Sequence, residues 1–124
     1  MSDVTVQRID DLEPYTGPHA REGIRFKPMA RPLGVTAWGM NVLEMAPGAT
    51  TYPEHDHAED GQEEVFVVLA GAATLVAGDD ERRVEAGEAV RIGPGVKRSW
   101  RPGDEGVTLL ALGGTPGKAY APRG

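Results

Sequence analysis

His55 and His57 lie two residues apart in a chain with only three histidines. The paired Glu63 and Glu64 follow shortly after. On an extended backbone, side chains two residues apart share a face, so both imidazoles are expected to point the same way. Glu64 opens an apolar run, VFVVLA over residues 65–70, with the length of a buried strand. Between histidines and glutamates, Asp60-Gly61 is a strong turn signal. The simplest geometry is an antiparallel pair, with the imidazoles on one strand and a carboxylate at the start of the next. Two imidazoles and one carboxylate from neighbouring strands are a common way to hold a divalent first-row metal. Asp56 alternates away from the histidines and is expected to face outward. Glu63 is expected beside the site or in solvent. The plainer alternative makes both histidines exposed strand residues.

The composition narrows what such a site can serve. At 124 residues the chain is one domain, long enough to bury a core and too short for two. Gly 17 and Pro 10 punctuate it every few residues, which favours short strands joined by tight turns over a helical bundle. The net charge of −6 argues against nucleic acid and anionic membranes, whose phosphates need a basic patch. The absence of cysteine removes disulfides, thiolate ligands and cysteine nucleophiles, and fits a reducing compartment such as the cytoplasm. The start MSDVTVQRIDD has neither a basic beginning nor an apolar run, so no secretory leader is expected. No apolar stretch approaches about 18 residues, so no membrane span is expected. Neither a nucleophile-elbow serine nor a phosphate-cradling glycine loop is present.

The elements that must position the site read as strands throughout. Residues 4–9 suggest an edge strand, and residues 10–23 a loop carrying His19. That histidine is either solvated or folds back to complete the site. Strands are expected at 24–27, 33–45, 50–57, 64–69, 72–77, 82–85, 89–92, 97–101 and 107–112. Pro53 lacks a donor and places the histidine strand at an edge or bulge. Trp38 is expected to pack. Arg25, Lys27 and Arg31 suggest a small solvated basic face. Eight to ten short strands at regular intervals are the pattern of an all-β sandwich or jelly-roll barrel. No stretch has the caps or periodicity of a helix.

At this point the chain resembles a family. Gly48, His55-Asp56-His57, Glu64 and Gly71 are similar to the first motif of the cupin superfamily: glycine, His-x-His, glutamate, six residues, glycine. Residues 87–95, GEAVRIGPG, resemble the start of the second motif. The resemblance implies an all-β double-stranded β-helix, or jelly-roll barrel, of the small single-domain, type 2 conserved-barrel kind. It also implies metal ligands at His55, His57 and Glu64, with Mn, Fe, Ni, Zn or Cu as the class of ion. The pattern departs in places. The stretch from Gly48 to His55 is one residue longer than usual. The stretch from His57 to Glu64 is about two longer, with Glu59-Asp60-Gly61 filling the extra loop. The fourth ligand, usually a histidine, falls at Arg98, which is always charged and cannot ligate a metal.

Two roles for Arg98 follow. It pairs with Glu64 or Glu63 in place of a metal, satisfying a buried carboxylate. Or it holds an anionic substrate beside a three-ligand metal. Tyr52 and Trp100 are further candidates to touch substrate, although both residue types more often line a core or cavity wall. The expected layout is a single domain over residues 1–124, with an N-terminal arm (1–32), a barrel (33–113) and a tail (114–124). The expected protein is a cytoplasmic homodimer with a cavity for a small molecule. One function is metal-dependent dioxygenation or isomerisation of a small polar molecule. The other is a non-catalytic binding or sensing module that grips a small anion through Arg98.

Overall fold

A computed structural model describes residues 3–121. Among these residues six strands carry the chain: β1 (Ile24–Pro28), β2 (Gly39–Met45), β3 (Glu63–Ala77), β4 (Asp80–Glu85), β5 (Ala89–Ile92) and β6 (Arg98–Gly114). Helical geometry among the described residues is confined to a 3-10 turn at Ile9–Asp11 and one α turn, α1 (Ala30–Leu33). No helix among them is long and apolar enough to cross a membrane.

Every strand pairing is antiparallel, in the order β1-β2-β6-β3-β4, with β5 also on β3. The architecture hangs on β3 and β6, which pair from Glu63↔Gly114 to Ala77↔Arg98. Their register breaks between Val68 and Ala70 and again between Gly71 and Ala73. The outer neighbours change at these breaks. Before them β3 carries β5 and β6 carries β2; beyond them β3 carries β4. One pair of long strands thus supplies both walls of an all-β jelly roll, bending where the bulges interrupt the ladder. Glycine is required there. Gly71 has φ +72°, and a Cβ on it would overlap the carbonyl of Gly106. A Cβ on Gly106, at φ +77°, would stand 2.7 Å from the Met45 carbonyl oxygen.

Alternation along the strands sends Phe66, Val68, Leu75, Trp100 and Leu109 into one core. Trp100 meets Phe66 edge to face, with centroids 5.4 Å apart. Each such burial contributes roughly 1.5–3 kcal/mol. A smaller cluster of Leu12, Met29 and Val42 lies between the N-terminal arm and the outer face of β2. Two surface grooves of about 420 Å³ flank the body. One is at the β1–β2 edge beside Glu44 and Val107, and the other lies between Asp60, Gln62 and Tyr120.

Several expectations are corrected. The strands expected at 64–69 and 72–77 are one, as are those at 97–101 and 107–112, because Gly71 and Gly106 mark bends and not chain reversals. Six strands therefore replace eight to ten. Residues 4–9 form no strand; Val4 and Val6 are exposed, and the chain turns at Ile9. The strand expected from residue 33 begins at Gly39, since α1 and its Gly34 cap come first. Residues 50–57 form no strand either, apart from one isolated bridge at His55. Trp38 is 47% exposed and is not a core residue. Lys27, expected in solvent, is 1% exposed. β1, within the expected arm, pairs along β2 and belongs to the sheet. The end of the expected tail, residues 122–124, lies outside the described residues.

Candidate metal centre

Backbone hydrogen bonds hold the histidine segment in place of a strand. His55 and Arg98 exchange a reciprocal pair, His55 N to Arg98 O at 3.2 Å and Arg98 N to His55 O at 2.9 Å. His57 N then donates to the carbonyl of Pro94 at 2.8 Å. The two bonds per residue pair give His55 a fixed place against the first residue of β6, and Pro53 costs nothing because no ladder needs its donor.

The ring nitrogens are fixed as well. His55 Nδ1 lies 2.9 Å from the Pro53 carbonyl oxygen, so it carries the proton and leaves the Nε2 lone pair free. His57 Nδ1 lies 3.1 and 3.2 Å from the two carboxylate oxygens of Asp60, which assigns the same tautomer. His57 Nε2 stands 3.4 Å from Glu64 Oε1, and the two imidazoles meet edge to face at 5.2 Å. His55, His57 and Glu64 each offer a ligand atom within 4.8 Å of the others. Bonds of about 2.0–2.2 Å to a shared ion put two ligands at most about 4.4 Å apart, so a pair near the 4.8 Å limit must draw together to share one ion. Two imidazoles and a carboxylate also suit first-row divalent ions chemically.

Arg98 is fully buried. Its Nε donates to Val96 O and its Nη2 to Gly93 O, both at 2.8 Å. Its Nη1 donates to Glu64 Oε1. The arginine therefore pairs with Glu64, while Glu63 pairs with Arg91 at the surface. Opposite charges on Arg98 and Glu64 cancel, and a histidine ligates a metal only through a neutral ring. A divalent ion added here would leave a net positive centre, which favours an anion as the next partner.

Tyr52 packs 5.8 Å from the His55 ring. Burial pushes its phenol well above the usual range; the Glu64 carboxylate adds to the rise and Arg98 opposes it. Trp100 is 1% exposed against Phe66, and its indole N–H meets no acceptor among the described residues. His19 is exposed and stands outside the ligand group. Asp56, as Oδ1, accepts from Ala58 N at 3.1 Å and closes a local turn. In the sequence Asp60 reads only as a turn former. Its signal was an acid three residues after the second histidine, in the lengthened loop.

The family profile described as a cupin domain matches residues 41–113, more than half of the chain. A sugar phosphate isomerase from a cupin superfamily of Silicibacter pomeroyi superposes with a TM-score of 0.71 at 21% identity, covering 93% of this chain and 75% of that one. A cupin protein from Bacteroides fragilis gives 0.70 at 18% identity, over 99% of this chain and 93% of that one. A predicted oxalate decarboxylase from Thermotoga maritima gives 0.71 at 18% identity, over 88% and 97%. At these identities the likeness is one of fold. A comparison with curated proteins returned no match.

Proposed function

This chain belongs to the cupin domain family, and from that premise we propose that it binds a divalent transition metal through His55, His57 and Glu64 and acts on a small, polar, anionic molecule as a metal-dependent isomerase or dioxygenase. One observation carries the reading. Both Nδ1 atoms are engaged, by Pro53 O and by Asp60, so both Nε2 lone pairs are held ready beside Glu64. An unanchored surface pair of histidines has no such arrangement. The metal, when bound, supplies a Lewis acid or an oxygen-activating centre.

The protein's own groups do the rest. Pro53 and Asp60 fix the ligand tautomers. Arg98 balances Glu64 and adds positive potential at the site, which favours an acidic substrate over a neutral one. Tyr52 stays protonated and serves as a neutral hydrogen-bond donor beside His55. Similarity to a sugar phosphate isomerase and to a predicted oxalate decarboxylase supports a small acidic substrate. The ligand is bound by a homodimer, and the protein works in the cytoplasm.

A second reading rests on the buried Arg98–Glu64 pair itself. There the guanidinium replaces the ion, and the barrel is a non-catalytic module for a small anion. Elemental analysis of protein purified without chelator decides between them. About one ion per chain, lost in His55→Ala, supports the metal reading. A metal-free protein that gains an ion in Arg98→His supports the second and sinks the first.

A further inference from the structure

β3 begins where β6 ends: Glu63 pairs with Gly114. The loop entering β3 (58–62) and the segment leaving β6 (115–121) therefore depart from the sheet side by side. They are joined there. Thr115 Oγ1 donates to the backbone carbonyl of Asp60 at 2.8 Å. A Cβ placed on Gly61 would stand 3.5 Å from the Thr115 methyl group. The Gln62 side chain lies along the end of β6, with Oε1 2.6 Å from where a Cβ on Gly113 would be.

The other side of the same loop faces the metal ligands. The Asp60 carboxylate accepts from His57 Nδ1 and also caps Gln62 N, the latter at 3.0 Å. Gly61 N donates to His57 O at 2.8 Å. Asp60 thus has its carbonyl on the segment after β6 and its carboxylate on a metal ligand.

We infer that Thr115 and Asp60 are positioning residues, a relay through which the segment after β6 sets the affinity of the His55–His57–Glu64 site for a divalent metal. The inference rests on the metal reading proposed above. Its physical basis is the cost of ordering a ligand. With Thr115 in place, the carbonyl of Asp60 is held and its carboxylate stays on Nδ1. Without it the 58–62 loop relaxes, and the His57 ring is free to rotate or to carry its proton on Nε2, where it cannot ligate. Metal binding must then restore one ring orientation and one tautomer, and affinity falls.

The test uses the full chain and Mn²⁺ or Co²⁺ as probe, with Kd read by competition against a chromophoric chelator and the thermal midpoint of each metal-free variant read alongside. Asp60→Ala is expected to weaken binding by about 10–100-fold, the range for lost partners of metal-bound histidines. Thr115→Val, which keeps the shape and loses the hydroxyl, is expected to weaken it several-fold. Thr115→Ser is expected to bind as the wild type does. The double variant Asp60→Ala/Thr115→Val is expected to be no weaker than Asp60→Ala, since both act through one link. Unchanged metal-free midpoints with these affinities support the relay. Wild-type affinity in Thr115→Val overturns it and leaves the metal site standing, as do losses that simply add in the double variant. Failure of the wild type to bind either ion overturns the metal reading and the relay together.

Discussion

Among the described residues two cations are buried against glutamates, one on each side of the sheet, and they are treated differently. Inside the barrel, Arg98 spends one directed hydrogen bond on Glu64 and two on the carbonyls of Gly93 and Val96. On the outer face, Lys27 lies beneath the N-terminal arm opposite Val42. Its Nζ is 3.0 Å from Glu44 Oε1, which Arg25 Nε also approaches at 3.6 Å, yet that oxygen has no directed hydrogen bond, and Nζ donates instead to Ile9 O at 3.5 Å. Glu44 also keeps contact with water, at 26% side-chain exposure against 14% for Glu64. A planar fork held at several points orients the carboxylate it touches. A lysine near a half-wet glutamate only balances charge. The difference marks the inner pair as the one that prepares a site.

Arg98→Met should cost the most, about 3–5 kcal/mol of metal-free stability, because it strands a buried carboxylate. Urea denaturation measures it, and a loss below about 1 kcal/mol would erase the contrast. Lys27→Met should cost only about 1 kcal/mol in the same assay, since Glu44 recovers hydration; a loss equal to that of Arg98→Met would make the pairs alike. Arg91→Ala, which breaks the exposed pair with Glu63, should fall within about 1 kcal/mol of wild type and sets the floor for a surface bridge.

A fourth measurement sharpens the inner side through pH. The Tyr52 phenol is held above its ordinary value of 10.0 in the folded chain. The folded state therefore binds this proton more tightly than the unfolded one. Its contribution is complete below the ordinary value and is lost as pH rises through the raised one. Alkaline unfolding should lose that component in Tyr52→Phe, with little change at neutral pH. An identical alkaline profile in the two proteins would place Tyr52 in open water.

Much of this was legible in the residues. Apolar runs marked β3 and the end of β6, and the His-x-His and glutamate spacing picked out the His55, His57 and Glu64 side chains that the fold brings together. What stayed hidden depended on distant partners. Gly71 reads as a turn until the carbonyl of Gly106 is seen pressed against it. Lys27 reads as solvated because nothing local shows the arm that covers it. The histidine segment reads as a strand, although one bridge, a carbonyl from residue 94 and the Thr51 hydroxyl on Glu22 O hold it. Asp60 reads as a turn residue, and it is one; its second duty appears only with His57 beside it.

The shared pair of long strands also governs how the chain must find its shape. The residues joined by β3 and β6 are 21 apart at Ala77↔Arg98 and 51 apart at Glu63↔Gly114. Neither wall has a scaffold until that closure is made, so the entropy of a long loop comes first and most contacts reward it late. Refolding should be slow and concerted, with β4 and β5 gaining protection from hydrogen exchange only as β6 arrives.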